Sequence, residues 1–275
     1  MVGLLLVQHY SRPMARSRWC WILAVLVGCS ACREAEVRSS DGPIAASPAK
    51  TLSSPSAEDT PTRWPKKLVF AATPYFGAEK IRAEFEPMTK YLTDRLGLPV
   101  EFRFIETYSE MIAQMDGPNI HLAVLSPLSF VTAKEANPDL ILLAMQIANG
   151  APTYSAYIVA RADRGFSTIA DLEGKRFGFV DPQSTSGYLY PMAWMVSHGI
   201  EPESFFSDIV YAGDHEKLIE MVSQGKVDGG ATSSSAYRIA RLENPSIEAI
   251  SILAKTGRIP YDAVVASPRL DPVLV

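Results

Sequence analysis

From about residue 66 onward, short apolar runs alternate with apolar positions at helical spacing. Leu68-Val-Phe-Ala-Ala72 is an uninterrupted apolar run of strand length. Pro87 then predicts the first turn of a helix in which Met88, Tyr91, Leu92 and Leu96 keep helical spacing and which Gly97 ends. Val100 to Ile105 alternates, with Val100, Phe102 and Phe104 on one face. Tyr108 to Met115 reads as a short helix, His121 to Leu125 as a buried strand, and Ser126-Pro127 as the start of the next helix. Leu140 to Met145 and Tyr154 to Ala160 predict further strands. A second round follows: a strand at Arg176 to Val180, a helix from about Thr185, a strand at Ile209 to Tyr211, a helix at His215 to Gln224, a strand at Val227 to Gly230 and a helix at Ser234 to Leu242. Strands alternating with helices predict an α/β fold with mainly parallel sheets. Two such rounds, joined near Tyr154 to Arg161 and again near Ile250 to Lys255, predict two lobes with paired crossings. Ligands in such sheets sit at the carboxyl ends of strands, and Tyr75, Tyr108, Ser126, Ser184 to Ser186 and His215 fall there.

The first 65 residues follow another pattern. Arg16 and Arg18 precede the apolar run Trp19 to Val27, and no acidic residue occurs before Glu34. A basic region followed by an apolar run of this length is a signal-peptide pattern, too short to span a bilayer comfortably. The run ends Leu26-Val-Gly-Cys29, which resembles the bacterial lipobox. The resemblance implies cleavage before Cys29 and lipidation of its thiol; a plain secretory signal and an uncleaved anchor are the alternatives. Met14 begins a more usual signal peptide than Met1, which makes residues 1–13 a candidate misassigned start. A lipid on Cys29 would tether the mature chain to a membrane surface without a membrane-spanning helix. Cys20 would leave with the signal, and Cys32 alone builds no internal disulfide framework. The Cys29-x-x-Cys32 spacing lacks a second pair or a nearby His, so it carries little metal or redox signal. Residues 33 to about 65 are rich in Ser, Ala, Pro and Thr and predict a flexible tether.

Charge narrows the partners. Arg12, Arg16 and Arg18 precede Cys29; without them 23 basic residues face 30 acidic ones, a net charge near −7. No basic cluster follows, which argues against nucleic acid. An acidic chain can bind an anion only through locally placed donors.

Such donors are concentrated in Phe179-Val-Asp-Pro-Gln-Ser184-Thr185-Ser186-Gly187. Here a strand ends, the chain turns and a helix begins. A helix start carries unpaired N–H groups and a partial positive charge. N-capping accounts for one hydroxyl. Three in succession, followed by Gly, also suit a nest for a tetrahedral oxyanion.

Asp181-Pro-x-Ser184-Thr-Ser-Gly187-x-x-x-Pro191 resembles the signature of the periplasmic phosphate/phosphite/phosphonate-binding proteins of ABC transporters. Two later segments fit in order: Ala212-Gly-Asp-His215 with Val222-x-x-Gly225-x-Val227-Asp228, and Thr256-Gly-x-Ile259-Pro-x-Asp262-x-Val-Val. The resemblance spans about Lys66 to Pro272. It implies a two-lobed periplasmic-binding-protein fold of type II, a Venus flytrap with two mainly parallel sheets and a hinge. Residues 66–155 would form the first lobe, 156–250 the second, and 251–275 the return to the first. By position, Ser184, Thr185 and Ser186 would bind oxyanion oxygens, joined by Tyr108, Tyr154, His215 and Asp262, with Tyr75 and Ser126 as further candidates. The tyrosines would supply neutral O–H donors and His215 an N–H. Asp262 would repel a bare anion but accept from a P–O–H or an ammonium, and so discriminate against sulfate.

Two departures from the family pattern matter. Ala231-Thr-Ser-Ser-Ser-Ala236 lacks the acid with which aminoalkylphosphonate binders hold an ammonium, so phosphate, phosphite or a simple alkylphosphonate is expected. The chain also ends soon after Pro272, where family members continue with helices on the first lobe; the return is expected to be cut short. The implied function is capture of a phosphorus oxyanion by a monomeric lipoprotein on the extracytoplasmic side of a bacterial membrane, for import by an ABC permease and its ATPase. No cofactor or metal is implied. A sensor of the same fold, acting on a membrane signalling partner, is the alternative. A serine hydrolase using Ser184 or Ser186 with His215 is disfavoured by the lack of a Gly-x-Ser-x-Gly elbow. Gly-rich nucleotide loops and zinc motifs are absent from the sequence.

Overall fold

A computed structural model describes residues 64–275 apart from 245, 246 and 248. The signal segment, the lipidation position Cys29 with Cys20 and Cys32, and the tether up to residue 63 lie outside the described residues. Among the described residues, no helix is long and apolar enough to cross a membrane.

The first sheet is built by β1 (Leu68–Ala72), β2 (Val100–Arg103), β3 (Leu122–Leu125), β4 (Ile141–Met145) and β10 (Ala263–Ala266), in the order β2-β1-β3-β10-β4. Between them run α1 (Ala78–Leu96), α2 (Tyr108–Met115) and α3 (Pro127–Ala136). Every residue of β1 is buried, as a continuous apolar run in a central strand should be. Its alternation divides the core. Leu68, Phe70 and Ala72 pack with Ile81 and Phe85 of α1, whereas Val69 and Ala71 pack with Met111 and Met115 of α2. Phe70 and Phe85 have ring centroids 5.3 Å apart, and Phe85 stacks on Phe102 of β2 at 5.7 Å.

The second sheet runs β7-β6-β8-β5-β9, from β5 (Thr153–Arg161), β6 (Arg176–Phe179), β7 (Asp208–Tyr211), β8 (Gly229–Ser233) and β9 (Ile250–Pro260). A π-helical turn at Thr185–Leu189 leads into α4 (Tyr190–Ser197), followed by α5 (Pro202–Phe205), α6 (His215–Ser223) and α7 (Ser234–Glu243). The two crossing strands are one ladder: β5 and β9 pair antiparallel from Thr153↔Pro260 to Arg161↔Ile250.

The α/β class and two-sheet plan agree with the sequence pattern, with three differences. Each sheet is mixed rather than mainly parallel: β10 is antiparallel to β3 and β4, and β5 is antiparallel to β8 and β9. These are the strands that carry the chain between sheets, so no crossover helix imposes a parallel direction on them. Strand β8 begins two residues later than its apolar run suggested. Finally, α1 begins at Ala78, and Pro87 lies inside it rather than at its start. Pro87 is exposed, while Ile81, Phe85 and Thr89 bury the opposite face. That packing holds the helix together across a residue that lacks an N–H. Gly97 does end it, in the left-handed region at φ 64°, with its N–H on the Thr93 carbonyl.

Candidate functional site

The 183–185 segment after β6 of the second sheet is hydrogen-bonded to α3 of the first. Thr185 Oγ1 accepts from the Leu128 N–H at 2.8 Å, Thr132 Oγ1 donates to Gln183 Oε1 at 3.1 Å, and the Ser129 hydroxyl donates to the Gln183 carbonyl at 3.4 Å. A second link joins the sheets where the His215 main-chain N–H donates to the Tyr75 main-chain carbonyl at 3.1 Å.

The hydroxyl run is buried: Ser184, Thr185 and Ser186 are each 2–3% exposed. Ser184 caps the π-helical turn by accepting from the Gly187 N–H at 3.0 Å. The turn is tight because residue 187 has no side chain. A Cβ there would lie 2.4 Å from Val180 Cβ and 2.8 Å from Ser184 Oγ. Ser184 and Thr185 spend lone pairs on these backbone donors, so each hydroxyl still has its proton to donate.

His215 opens α6 behind Asp214, whose side chain caps the helix by accepting from the Lys217 N–H. The His215 ring is buried. Its Nδ1 accepts from the Ser233 N–H at 3.3 Å and lies 2.9 Å from Thr232 Oγ1. An acceptor Nδ1 puts the ring proton on Nε2, which lies 3.4 Å from Ser186 Oγ. Burial pushes the imidazole down to about 3, so it is a neutral donor.

Tyr108 begins α2 behind the N-cap Thr107 and is buried against Val180 and Leu218. Tyr154, on β5, packs its ring on Tyr261 at a centroid distance of 4.9 Å. Burial holds both phenols well above their ordinary range, with the Asp262 charge acting in the same direction. The Ser184 hydroxyl acts in the opposite direction on Tyr108, and the Ser186 hydroxyl on Tyr154. Asp262 follows β9, and its main-chain carbonyl accepts from the Gln146 N–H at 2.9 Å. Burial raises its carboxyl to about 7, helped by the charge of Glu84.

The fold thus brings Ser184, Ser186, Tyr108, Tyr154, His215 and Asp262 into one cluster between the sheets. Tyr75 also belongs to it, since its phenol senses both Asp262 and Tyr108. Thr185 and Ser126 also support α3. Thr185 joins the start of α3, and Ser126 caps α3, with its hydroxyl 2.8 Å from Ser129 Oγ. Two participants escaped the sequence reading. Thr232 orients His215, and Glu84 of α1 accepts from the Tyr75 hydroxyl at 2.8 Å. The helical spacing of Ile81, Phe85 and Met88 was the available signal for Glu84; it extends α1 back past Pro87 and sets Glu84 on the helix.

Residues 70–275 match the family described as ABC transporter, phosphonate, periplasmic substrate-binding protein. The chain is 31% identical over 176 residues to the phosphate-import protein PhnD of Mycolicibacterium smegmatis, covering 61% of this chain and 55% of that protein. It is 24% identical over 211 residues to the phosphonates-binding periplasmic protein of Escherichia coli, covering 75% and 62%. The chain therefore spans roughly three-fifths of the length of these curated relatives. The fold is also that of PhnD1 from Prochlorococcus marinus, solved with methylphosphonate, at a TM-score of 0.69 and 22% identity over 74% of this chain and 77% of that one. With three-quarters of its length matched to that family and the matching fold, this chain belongs to the phosphonate periplasmic substrate-binding proteins of ABC transporters.

Proposed function

We propose that the chain captures a phosphorus oxyanion (phosphate, phosphite or a simple alkylphosphonate) between its lobes and presents it to an ABC permease and its ATPase. The observation that carries this reading is the make-up of the cleft: neutral O–H and N–H donors from both lobes converge around the Asp262 carboxyl, with Glu84 behind Tyr75. Neutral donors in a dry cleft stabilise an anion without a buried counter-charge, whose desolvation would be costly. Ser184, Ser186 and Thr185 with the helix start take the oxygens from the second lobe. Tyr108 reaches them from the first lobe, Tyr154 from the crossing strand and His215 through Nε2–H. Asp262 accepts from a P–O–H. Contacts from both lobes mean that binding favours the closed arrangement, the form a permease would recognise. The family membership and the relatives' phosphate and phosphonate names support the ligand class. No basic or nucleophilic machinery is needed, because the ligand leaves unchanged.

The lipobox at Cys29 supports attachment to the periplasmic side of a membrane by lipid. Labelling with a fatty-acid analogue should mark the chain and not its Cys29→Ser variant; equal labelling of the two would exclude this anchor.

Calorimetric titration and thermal unfolding of the purified chain test the binding reading. Millimolar phosphate, phosphite or methylphosphonate should raise Tm, and Ser186→Ala should weaken all three ligands. A sample that unfolds cooperatively but responds to none of them would overturn the reading.

A further inference from the structure

Tyr75 stands at the cleft with its hydroxyl proton already committed. Its O–H donates to Glu84 Oε2 at 2.8 Å, from the turn after β1 to the second turn of α1. A phenol has one proton, so toward the cleft Tyr75 offers only lone pairs. Asp262, the carboxylate that Tyr75 senses, likewise only accepts when ionised. The cleft therefore has two unlike sides. Ser184, Ser186, Tyr108, Tyr154 and Nε2–H of His215 are donors, whereas Tyr75 and Asp262 are acceptors. Burial keeps the Tyr75 phenol protonated far into the alkaline range, so its proton stays with Glu84 at physiological pH, and Asp262 joins it as an acceptor as pH rises through about 7. Packing alone does not account for a half-buried carboxylate at residue 84. Lys80, one turn earlier, is engaged with Glu216 and Glu243 at 2.6 Å each, and the charged neighbour on the cleft side is Asp262.

We propose that Glu84 is a specificity-determining positioning residue: by holding the Tyr75 proton it makes Tyr75 an acceptor, so that the cleft favours phosphorus oxyanions bearing a proton on that side over fully deprotonated tetrahedral anions such as sulfate. This rests on the reading of the cleft as an oxyanion site. A bare tetrahedral anion sets oxygen lone pairs against those of both Tyr75 and Asp262. A protonated phosphate has one P–O–H to place there, and its remaining oxygens face the donors.

The test is calorimetric titration of the full chain with inorganic phosphate and with sulfate at pH 7. Glu84→Leu frees the Tyr75 proton to donate and should lower the phosphate-over-sulfate preference by about tenfold, the worth of one charge-assisted hydrogen bond. Glu84→Gln keeps a carbonyl acceptor for Tyr75 and should retain the wild-type preference. Tyr75→Phe removes the acceptor oxygen while leaving Glu84, and should also reduce the preference, which keeps the test decisive if Glu84→Leu does not fold. An unchanged preference in Glu84→Leu or Tyr75→Phe, or a loss in Glu84→Gln equal to that in Glu84→Leu, overturns the proposal and leaves the binding function standing. A wild-type chain that binds neither phosphate, phosphite nor methylphosphonate overturns both.

Discussion

His215 and Asp262 titrate in opposite senses, and the difference can be read in stability. The folded imidazole takes up its proton only near pH 3, the unfolded one near 6.5. Between those values the unfolded chain holds the extra proton, so the contribution of the neutral ring is complete above about pH 6.5 and is lost as pH falls toward 3. Asp262 holds its proton up to about pH 7, whereas an unfolded carboxyl releases it near 3.8. Its contribution is complete below about pH 4 and is lost as pH rises through 7. Relative to the ligand-free wild type, His215→Gln should therefore become progressively more stable as pH falls from about 6.5. Asp262→Asn should gain as pH rises from about 4 to 7. Each slope is at most about 1.4 kcal/mol per pH unit, one proton's worth. Urea unfolding between pH 4 and 7 measures both; curves parallel to the wild type would contradict the assignment. In the sequence, His215 and Asp262 could be named from the resemblance, but not their protonation. That depends on Thr232, Ser233 and Glu84, which come from other elements.

Among the elements, the turn after β6 tolerates least change. Gly187→Ala would drive a methyl group into Val180 and Ser184, which hold the turn through Val180 N–H to the Gly187 carbonyl and Gly187 N–H to Ser184 Oγ. The expected cost is about 1–3 kcal/mol, with oxyanion binding lost because the hydroxyls move. A variant with wild-type Tm and wild-type affinity would show that the turn accommodates the methyl. In α1 the opposite change helps. Pro87→Ala restores a helix N–H at an exposed interior position and should stabilise the chain by about 1–3 kcal/mol, seen as a rise in Tm. Pro87 was misread from sequence because its preference for the first helical turn is a local rule. The packing of Ile81 and Phe85 on β1 is not local and overrides it. The hydroxyl run was legible because capping and strand-end position leave a mark in a few consecutive residues.

Across the whole molecule, the lobes are joined by the β5–β9 ladder, by hydrogen bonds at Gln183, Thr185 and Tyr75, and by Lys80 of α1, which bridges Glu216 of α6 and Glu243 of α7. The three charged side chains are 39–52% exposed, so solvent screens them and each pair contributes little. Lys80→Ala should cost at most about 1 kcal/mol of stability at low salt, and the difference should vanish at high salt. A larger, salt-independent loss would mean that the Lys80 side chain contributes packing beyond its exposed ion pairs.

The chain by itself determined the alternation of strands and helices, the presence of two lobes and the place of the hydroxyl run at the end of β6. Each of these is written in periodicity or capping over a few neighbouring residues. Only the tertiary structure decided that both sheets are mixed, that α1 runs through Pro87, that the His215 proton sits on Nε2 and that Glu84 claims the proton of Tyr75. Those outcomes depend on groups from distant segments meeting in one low-dielectric cleft, where direction, partner and protonation are set by neighbours that no local pattern names.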